Sequence, residues 1–407
     1  MKKKFNISRL INLIRKSKIL MICSLIFLLC IVGCAIPSNS NPTSINDTEM
    51  LGHFEKAGSL KIGRYDHTAT LLQDGRILII GGRGGAEHST LNQAEIYDPT
   101  TKKSTKIGRI NVARCNHTAT LLKDGRVLIT GGTGQGNQYN MASAEIFDPV
   151  TNTFKKLPDM NYKRSEHSAI LLPNGKILIS GGRAAGNTAE LFDPETERFS
   201  ITSNLSANNR YNHNSVLLKD GRILLDGGGC YYETKLSTKS NKMMIVNENC
   251  NIAETYNHET EMFIPLKSKM NNARRSNSIT VLKNGKVLIT GGEDISIITG
   301  TSLKTAEILD PETETWQKLP DMNYDRVNHK AMLLKNGNVL IIGGIYPEFI
   351  GPEVYDPVKN KFFIIKQKTT KRASPQTVIL TDGSVVIIGG AHYGDGVKAI
   401  EIYKENK

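Results

Sequence analysis

Aromatic residues are scarce in this chain: Phe, Trp and Tyr make up 6% of its 407 residues, and there is one Trp. Charge of one sign is not concentrated on its body either. The formal charge is +13, but Lys2, Lys3, Lys4, Arg9, Arg15, Lys16 and Lys18 fall in the first 33 residues with no acid among them, which leaves +6 for the rest. That remainder is scattered, without a Lys/Arg block or a basic stripe interleaved with aromatics, so nucleic acid is not an expected partner. An apolar run long enough to span a bilayer, about 20 residues, is also missing; Ile19 to Val32 has 14. Glycine is plentiful, at 36 residues, and with modest hydrophobicity this predicts many turns and short strands rather than long helices.

The N-terminus has a basic stretch, the 14-residue apolar run, then Gly33 and Cys34, the layout of a secretory signal peptide. Ile31-Val32-Gly33-Cys34 resembles the bacterial lipobox, and the resemblance implies cleavage before Cys34 and a diacylglycerol on its thiol. Residues 1–33 are therefore expected to be a lipoprotein signal peptide. Residues 34–50 are expected to be the lipidated Cys and a flexible tether, because Ala35 to Met50 is polar and rich in Ser, Asn and Pro. Such a coil holds a domain on the order of 20 Å from the membrane, with acyl chains making the membrane contact. The expected location is the bacterial cell envelope, with outer membrane and cell surface both open.

From Arg64 onward one pattern recurs: R-x-x-H, with Asn277 and Pro375 replacing His in two copies, then an apolar strand, [DN]-G, a second apolar strand and G-G. Its arginines are Arg64, Arg114, Arg164, Arg210, Arg274, Arg326 and Arg372, each 17 residues before the first Gly of the pair. The turn glycines, from Gly75 to Gly383, stand six before that Gly in every copy. Each [DN]-G between apolar runs reads as a tight hairpin with a type I′ turn, and the near-continuous apolar runs predict burial on both faces. A third strand reads from A-E-[IL]-[YF]-D-P, as at Ala94 to Pro99, with degenerate copies from Ala253, Ala306, Pro352 and Ile400. A fourth strand carries an aromatic at Phe154, Phe199, Phe263, Trp316 and Phe362, where the first repeat has Ser104. Four strands in each of seven repeats predict an all-β, seven-bladed β-propeller over residues 51–407. Phe54 lies ten residues before Arg64, the spacing of Phe154 from Arg164. Leu51 to Lys61 is thus expected to complete the last blade, whose own fourth strand is missing after Tyr403.

The G-G pair, the Tyr or Phe of strand three and the aromatic of strand four resemble the kelch repeat. The [DN]-G-[RK]-[IV]-L stretch is similar to the propeller of galactose oxidase-like proteins. The resemblance implies ligand binding on the face carrying the four-to-one and two-to-three loops, where the R-x-x-H sites lie. Because His67, His117, His167, His213 and His329 recur blade after blade, they read as structural, and no metal or cofactor is expected. The seven arginines and Glu95, Glu145, Glu190, Glu254, Glu307, Glu353 and Glu401 read as ion pairs within or between blades. Some of the arginines remain open as anion contacts at the channel mouth, as in some kelch modules. On this basis Arg64, Tyr65, Arg210, Tyr211, Tyr231 and Tyr232 are candidate ligand-face residues.

Two enzymatic readings stand beside this one. Arg210 to Cys230 resembles the segment of galactose oxidase that supplies a copper-binding Tyr-His pair, but Asn212 precedes His213 here. Sialic acid mutarotase is a further bacterial kelch enzyme with acid/base groups in the central funnel, yet no such pair stands out in this sequence. Blade four alone is irregular: 26 residues separate Gly227 from Ala253, against 8 to 15 in the other blades. Cys230, Tyr231, Tyr232 and Cys250 lie in that insertion, and Cys230 and Cys250 are the expected disulfide in an exported chain. Cys115 is expected to be a buried free thiol. The favoured reading is a monomeric cell-envelope binding module for a glycan or protein ligand, with a carbohydrate-active enzyme as the alternative.

Overall fold

The computed structural model describes residues 51–407 apart from 86–88, 137–138, 208, 232–234, 237–242, 245–246, 250, 295–300, 346–349 and 407, and the side chains of 231–250 and 345 are also outside the description. Cys34 and the whole of residues 1–50 fall outside it as well. The regular elements among the described residues are all β-strands. Seven antiparallel four-stranded sheets account for most of them. In blade one the strands are Thr68–Leu71, Ile77–Ile80, Gln93–Asp98 and Lys103–Arg109. Blade four repeats this with Asn214–Leu217, Ile223–Asp226, Glu254–Asn257 and Met262–Pro265. The inner strands touch one another in a closed circuit from the first blade round to the seventh and back to the first. The seven sheets thus form a β-propeller.

Hydrophobic burial sits between blades. Leu72, Leu78 and Ile80 of blade one pack on Val127, Ile129 and Phe147 of blade two, and clusters of the same make-up fill the gaps round the ring. The second strands, such as Ile77–Ile80, are buried at every position, as their apolar runs predict. The inner strands differ. Thr68–Leu71 is only half-buried throughout, because its sequence is Thr-Ala-Thr-Leu and it stands innermost, where no further strand covers it. Burial on both faces therefore holds for the second strand and fails for the first.

The [DN]-G turns also depart from expectation. Gly75 has φ +85°, but Asp74 is not among the residues with positive φ, and the same holds for its six equivalents. Gly75 N–H donates to Leu72 O at 3.0 Å and Leu72 N–H to Arg76 O at 2.8 Å. This is a type I turn followed by a left-handed glycine bulge rather than type I′. The Asp or Asn earns its place by its side chain: Asp74 Oδ1 accepts from Arg76 N–H at 3.0 Å, and Asp124, Asn174, Asp220, Asn284, Asn336 and Asp382 make the same contact.

The ring closes as the Phe54 spacing predicts. His53–Ser59 pairs antiparallel with Ala399–Lys404, with Phe54 opposite Tyr403 and their rings 5.0 Å apart. Phe147–Phe154, Phe192–Phe199, Tyr256–Phe263 and Tyr355–Phe362 make the same contact in other blades. Gln367 of blade six further ties Phe54 down, accepting from its N–H and donating to its carbonyl, both at 2.7 Å. Ser104, which breaks the aromatic pattern, has a polar task. Its hydroxyl is buried and donates to Glu95 Oε2 at 2.6 Å, where other blades use an Asn side chain, such as Asn161 on Glu190.

Candidate functional site

The fixed 17-residue spacing between Arg and Gly is a hydrogen bond. Arg64 Nη1 donates to Gly81 O at 2.9 Å, and the other six arginines make the same bond at 2.6–2.9 Å. Each Arg also pairs within its own blade with the third-strand Glu, from Arg64–Glu95 at 2.7 Å to Arg372–Glu401 at 2.6 Å. The second oxygen of Glu95 accepts from Lys61 N–H at 2.8 Å, so one carboxylate holds the entering chain and the corner together. Arg64 and Arg210, expected on a ligand face, are fully buried in this device. Their guanidinium groups serve the blade and are not presented to a ligand.

The Gly pair lets adjacent blades meet. Gly81 and Gly82 have φ +59° and +93°, and a Cβ on Gly81 would stand 2.4 Å from the Arg114 carbonyl and 3.0 Å from His117 Cε1 of the next blade. Gly82 N–H donates to that carbonyl at 2.9 Å. A side chain is excluded by backbone approach as well as by φ.

The histidines complete this contact between blades. His167 Nε2 lies 3.1 Å from Thr118 Oγ1 and 3.0 Å from Thr130 Oγ1. His117 uses Thr68, His213 uses Ser180 and His329 uses Thr290. In blade five Asn277 takes the place of His and donates to Asp226 Oδ2 at 2.7 Å. Burial, reinforced by neighbouring arginine charges, holds all five imidazoles below their ordinary pKa, with His213 lowered to about 3. They are neutral spacers at physiological pH.

Two residues after each Arg the backbone turns left-handed: Asp66, Asn116, Glu166, Asn212, Ser276, Asn328 and Ser374 have φ of 48–56°. Asn116 N–H donates to Asp66 O at 3.1 Å, Glu166 N–H to Asn116 O at 3.0 Å, and the sequence of bonds continues blade by blade to Ser374 N–H on Asn328 O at 2.9 Å. These bonds along the circumference offset the cost of the left-handed backbone, which is on the order of 1 kcal/mol per residue. They also bring the same side chains to the mouth of a central cavity of about 230 Å³. Asp66 faces Arg83 at 4.0 Å and Glu166 pairs with Arg183 at 2.7 Å. Desolvation raises the Asp66 pKa and lowers that of Lys330, which also lines the cavity.

The rim residues and Lys330 were not singled out by sequence reasoning. A signal was present. The residue after the rim His is Thr68, Thr118, Ser168 or Asn214 in four blades and Ser278 after Asn277, whereas blade six has Lys330. Of the remaining candidates, Tyr65 is half-buried and its strand pairs with Arg83. Tyr211 is buried beneath Arg183, whose guanidinium lies 4.0 Å from the ring centroid, and its hydroxyl accepts from Arg275 Nη1 at 3.0 Å. Tyr211 thus supports the face from below. The blade-four insertion is a β-hairpin arm: Gly229–Tyr231 pairs with Asn247–Asn249, and Lys235–Leu236 with Met243–Met244. Cys230 is buried and disulfide-bonded, while the Tyr231 side chain, Tyr232 and Cys250 lie outside the described residues. Cys115 is a buried free thiol whose sulfur accepts from Arg83 Nε at 3.2 Å.

The KLHDC2/KLHL20/DRC7 kelch-repeats domain matches residues 44–229, and the kelch motif matches residues 274–323. The fold is a kelch propeller. No curated protein matches the sequence. Among solved structures the propeller is similar to a fungal alcohol oxidase of the AA5 family in complex with copper, with a TM-score of 0.65 and 17% identity over 87% of this chain and 76% of that one. At that identity the likeness concerns the fold. The residues here do not fit a copper centre, since His213 is preceded by Asn212 and its buried Nε2 is bonded to Ser180 of the neighbouring blade. Among the described residues no three His, Cys, Asp or Glu side chains are grouped to hold a metal ion.

Proposed function

We propose that this kelch propeller is a cell-envelope lipoprotein that binds a glycan or protein ligand on the face bearing the channel mouth and the blade-four arm. The observation that carries this reading is the division of labour among its polar residues. Every repeated Arg is committed to holding blades, and most of the repeated His and Asn positions are too. The polar side chains of the rim instead surround an open cavity. The arm adds non-repeated surface to the same face, because Gly229 pairs with Tyr211 immediately after a rim Arg. Such irregular additions on a rigid scaffold are where binding specificity is commonly placed. A carbohydrate-active enzyme is the alternative. Its acid/base pair would have to come from the few rim groups that no blade contact uses.

The full-length protein, purified in detergent, is to be applied to arrays of envelope glycans and to candidate envelope proteins. Wild type is expected to retain a ligand, and replacing 231–249 with a short Gly-Ser link is expected to remove or weaken that binding while leaving the melting temperature within a few degrees. Binding that is indifferent to the arm and to every rim substitution would refute the assignment of the face.

A further inference from the structure

Channel-side polar groups are satisfied in most blades but not in all. At the start of the inner strands, Thr68 and Thr118 bond to the next blade's histidine, and Ser168 bonds to Ser215. Asn214 donates to Asn277 O at 3.3 Å, and Ser278 Oγ accepts from Ala331 N–H at 2.9 Å. The two remaining positions, Lys330 of blade six and Gln376 of blade seven, line the cavity, and their side chains make no hydrogen bond or ion pair among the described residues. Next to them in the ring stands His67 of blade one. Where Thr130, Ser180 and Thr290 serve other histidines, blade seven offers Ile388, and neither ring nitrogen of the buried His67 has a partner. Of the inner-strand positions and rim histidines, those whose side chains have no partner thus lie on one side of the channel, across blades six, seven and one, although Asp226 Oδ1 and Asn277 Oδ1 of blades four and five are also unpartnered.

We propose that this side of the channel binds the carboxylate of a small polyhydroxylated acid, a sugar acid, with the Lys330 ammonium as its counter-charge and the Gln376 amide as a second donor. The rim acids do not serve Lys330, because Glu166 pairs with Arg183 and Asp66 faces Arg83. An ammonium held in a partly desolvated cavity without a counter-ion is unfavourable, and an entering carboxylate relieves it through a charge-assisted hydrogen bond. One lysine opposed by two rim carboxylates suits a single negative charge rather than a polyanion. Apart from the five neutral histidines, the rest of the lining is amide and hydroxyl, including Asn116, Asn212, Asn214, Ser276 and Ser374, which suits ligand hydroxyls better than an apolar body. A cavity of about 230 Å³ takes one sugar ring rather than a chain.

This inference rests on the binding-module reading and narrows its ligand. The test is calorimetric titration of the full-length protein in detergent with glucuronate, galacturonate, glucose and a short peptide bearing a free C-terminus. At least one acid is expected to bind about ten-fold or more tighter than glucose. Lys330→Gln is expected to lose that preference with an unchanged melting temperature, and Lys330→Arg to keep part of it. An acid that binds no better than glucose, or a preference that survives Lys330→Gln, overturns the proposal. Lys330-dependent binding of the peptide without the sugar acids overturns the sugar-acid assignment. If a neutral glycan still binds through the arm, the module reading survives this failure; if no ligand binds at all, both fall.

Discussion

Seven copies of one salt bridge give the single residue its meaning here. A buried Arg–Glu pair is retained because removing either partner strands a charge, and each pair also ties the entering chain to the glycine corner. The histidines carry a further, pH-dependent consequence. In the unfolded chain an imidazole titrates near 6.5, whereas His213 is held at about 3 and the other four well below their ordinary value. Unfolding at acid pH therefore takes up protons, so the stabilisation is complete above about pH 6.5 and is lost as pH falls toward the folded values, by up to about 1.4 kcal/mol per pH unit for each His. Asp226, pushed up to about 6 by burial, and Asp66, also raised by burial, work in the opposite sense, two groups against five. The urea midpoint is expected to drop between pH 7 and pH 5, and His213→Asn to flatten the drop; an unchanged midpoint over that range would count against neutral histidines. Repetition in the sequence correctly marked His and Glu as structural. It could not show that Arg64 and Arg210 leave nothing for a ligand, because burial depends on the third strand and its Glu. Lys330 was legible as the odd member of its column, but its lack of a partner was not.

Elements follow from spacing more reliably than from turn chemistry. The hairpins formed where [DN]-G predicts them, but with a type I turn and glycine bulge, since the Asp side chain caps the N–H two residues on and its own backbone stays right-handed. The closing strand was visible from the ten-residue spacing of Phe54 from Arg64, because most blades carry an aromatic at that place. Protein beginning at Ile62 instead of Leu51 should expose the edge of Ala399–Lys404 and bare Tyr403, lowering the melting temperature by well over 10 °C; equal melting curves would mean that the strand is dispensable. The arm could not be read as a hairpin from its sequence, which lacks alternation. Cys230 is bridged, and Cys250, one residue beyond the strand Asn247–Asn249, is the partner we propose. Thiol titration of the denatured, unreduced protein from residue 51 is expected to find one reactive thiol, Cys115; three would exclude the bridge. A 20-residue loop closed in this way stabilises by about 3 kcal/mol in the chain-entropy model, largely by ordering the arm.

At the scale of the molecule, seven apolar interfaces and a belt of backbone bonds make a ring whose two faces have different work. One face carries the tight turns with their Asp and Asn caps; the other carries the rim, the cavity and the arm. Outside the ring, the proposed anchor is tested by Cys34→Ala, which should abolish palmitate labelling and move the protein from the membrane to the soluble fraction, whereas a labelled, membrane-bound variant would place the anchor elsewhere. The central claim is that repeated polar residues build the propeller while unrepeated ones on the rim face bind. Its most direct measurement is the melting temperature and the glucuronate affinity of two variants side by side, Glu190→Gln for the repeated set and Lys330→Gln for the unrepeated. Glu190→Gln is expected to lower the melting temperature by several degrees with affinity within about two-fold of wild type, and Lys330→Gln to keep the melting temperature and lose about ten-fold in affinity. The reverse assignment, with Lys330→Gln unfolding the protein and Glu190→Gln removing binding, would contradict the claim.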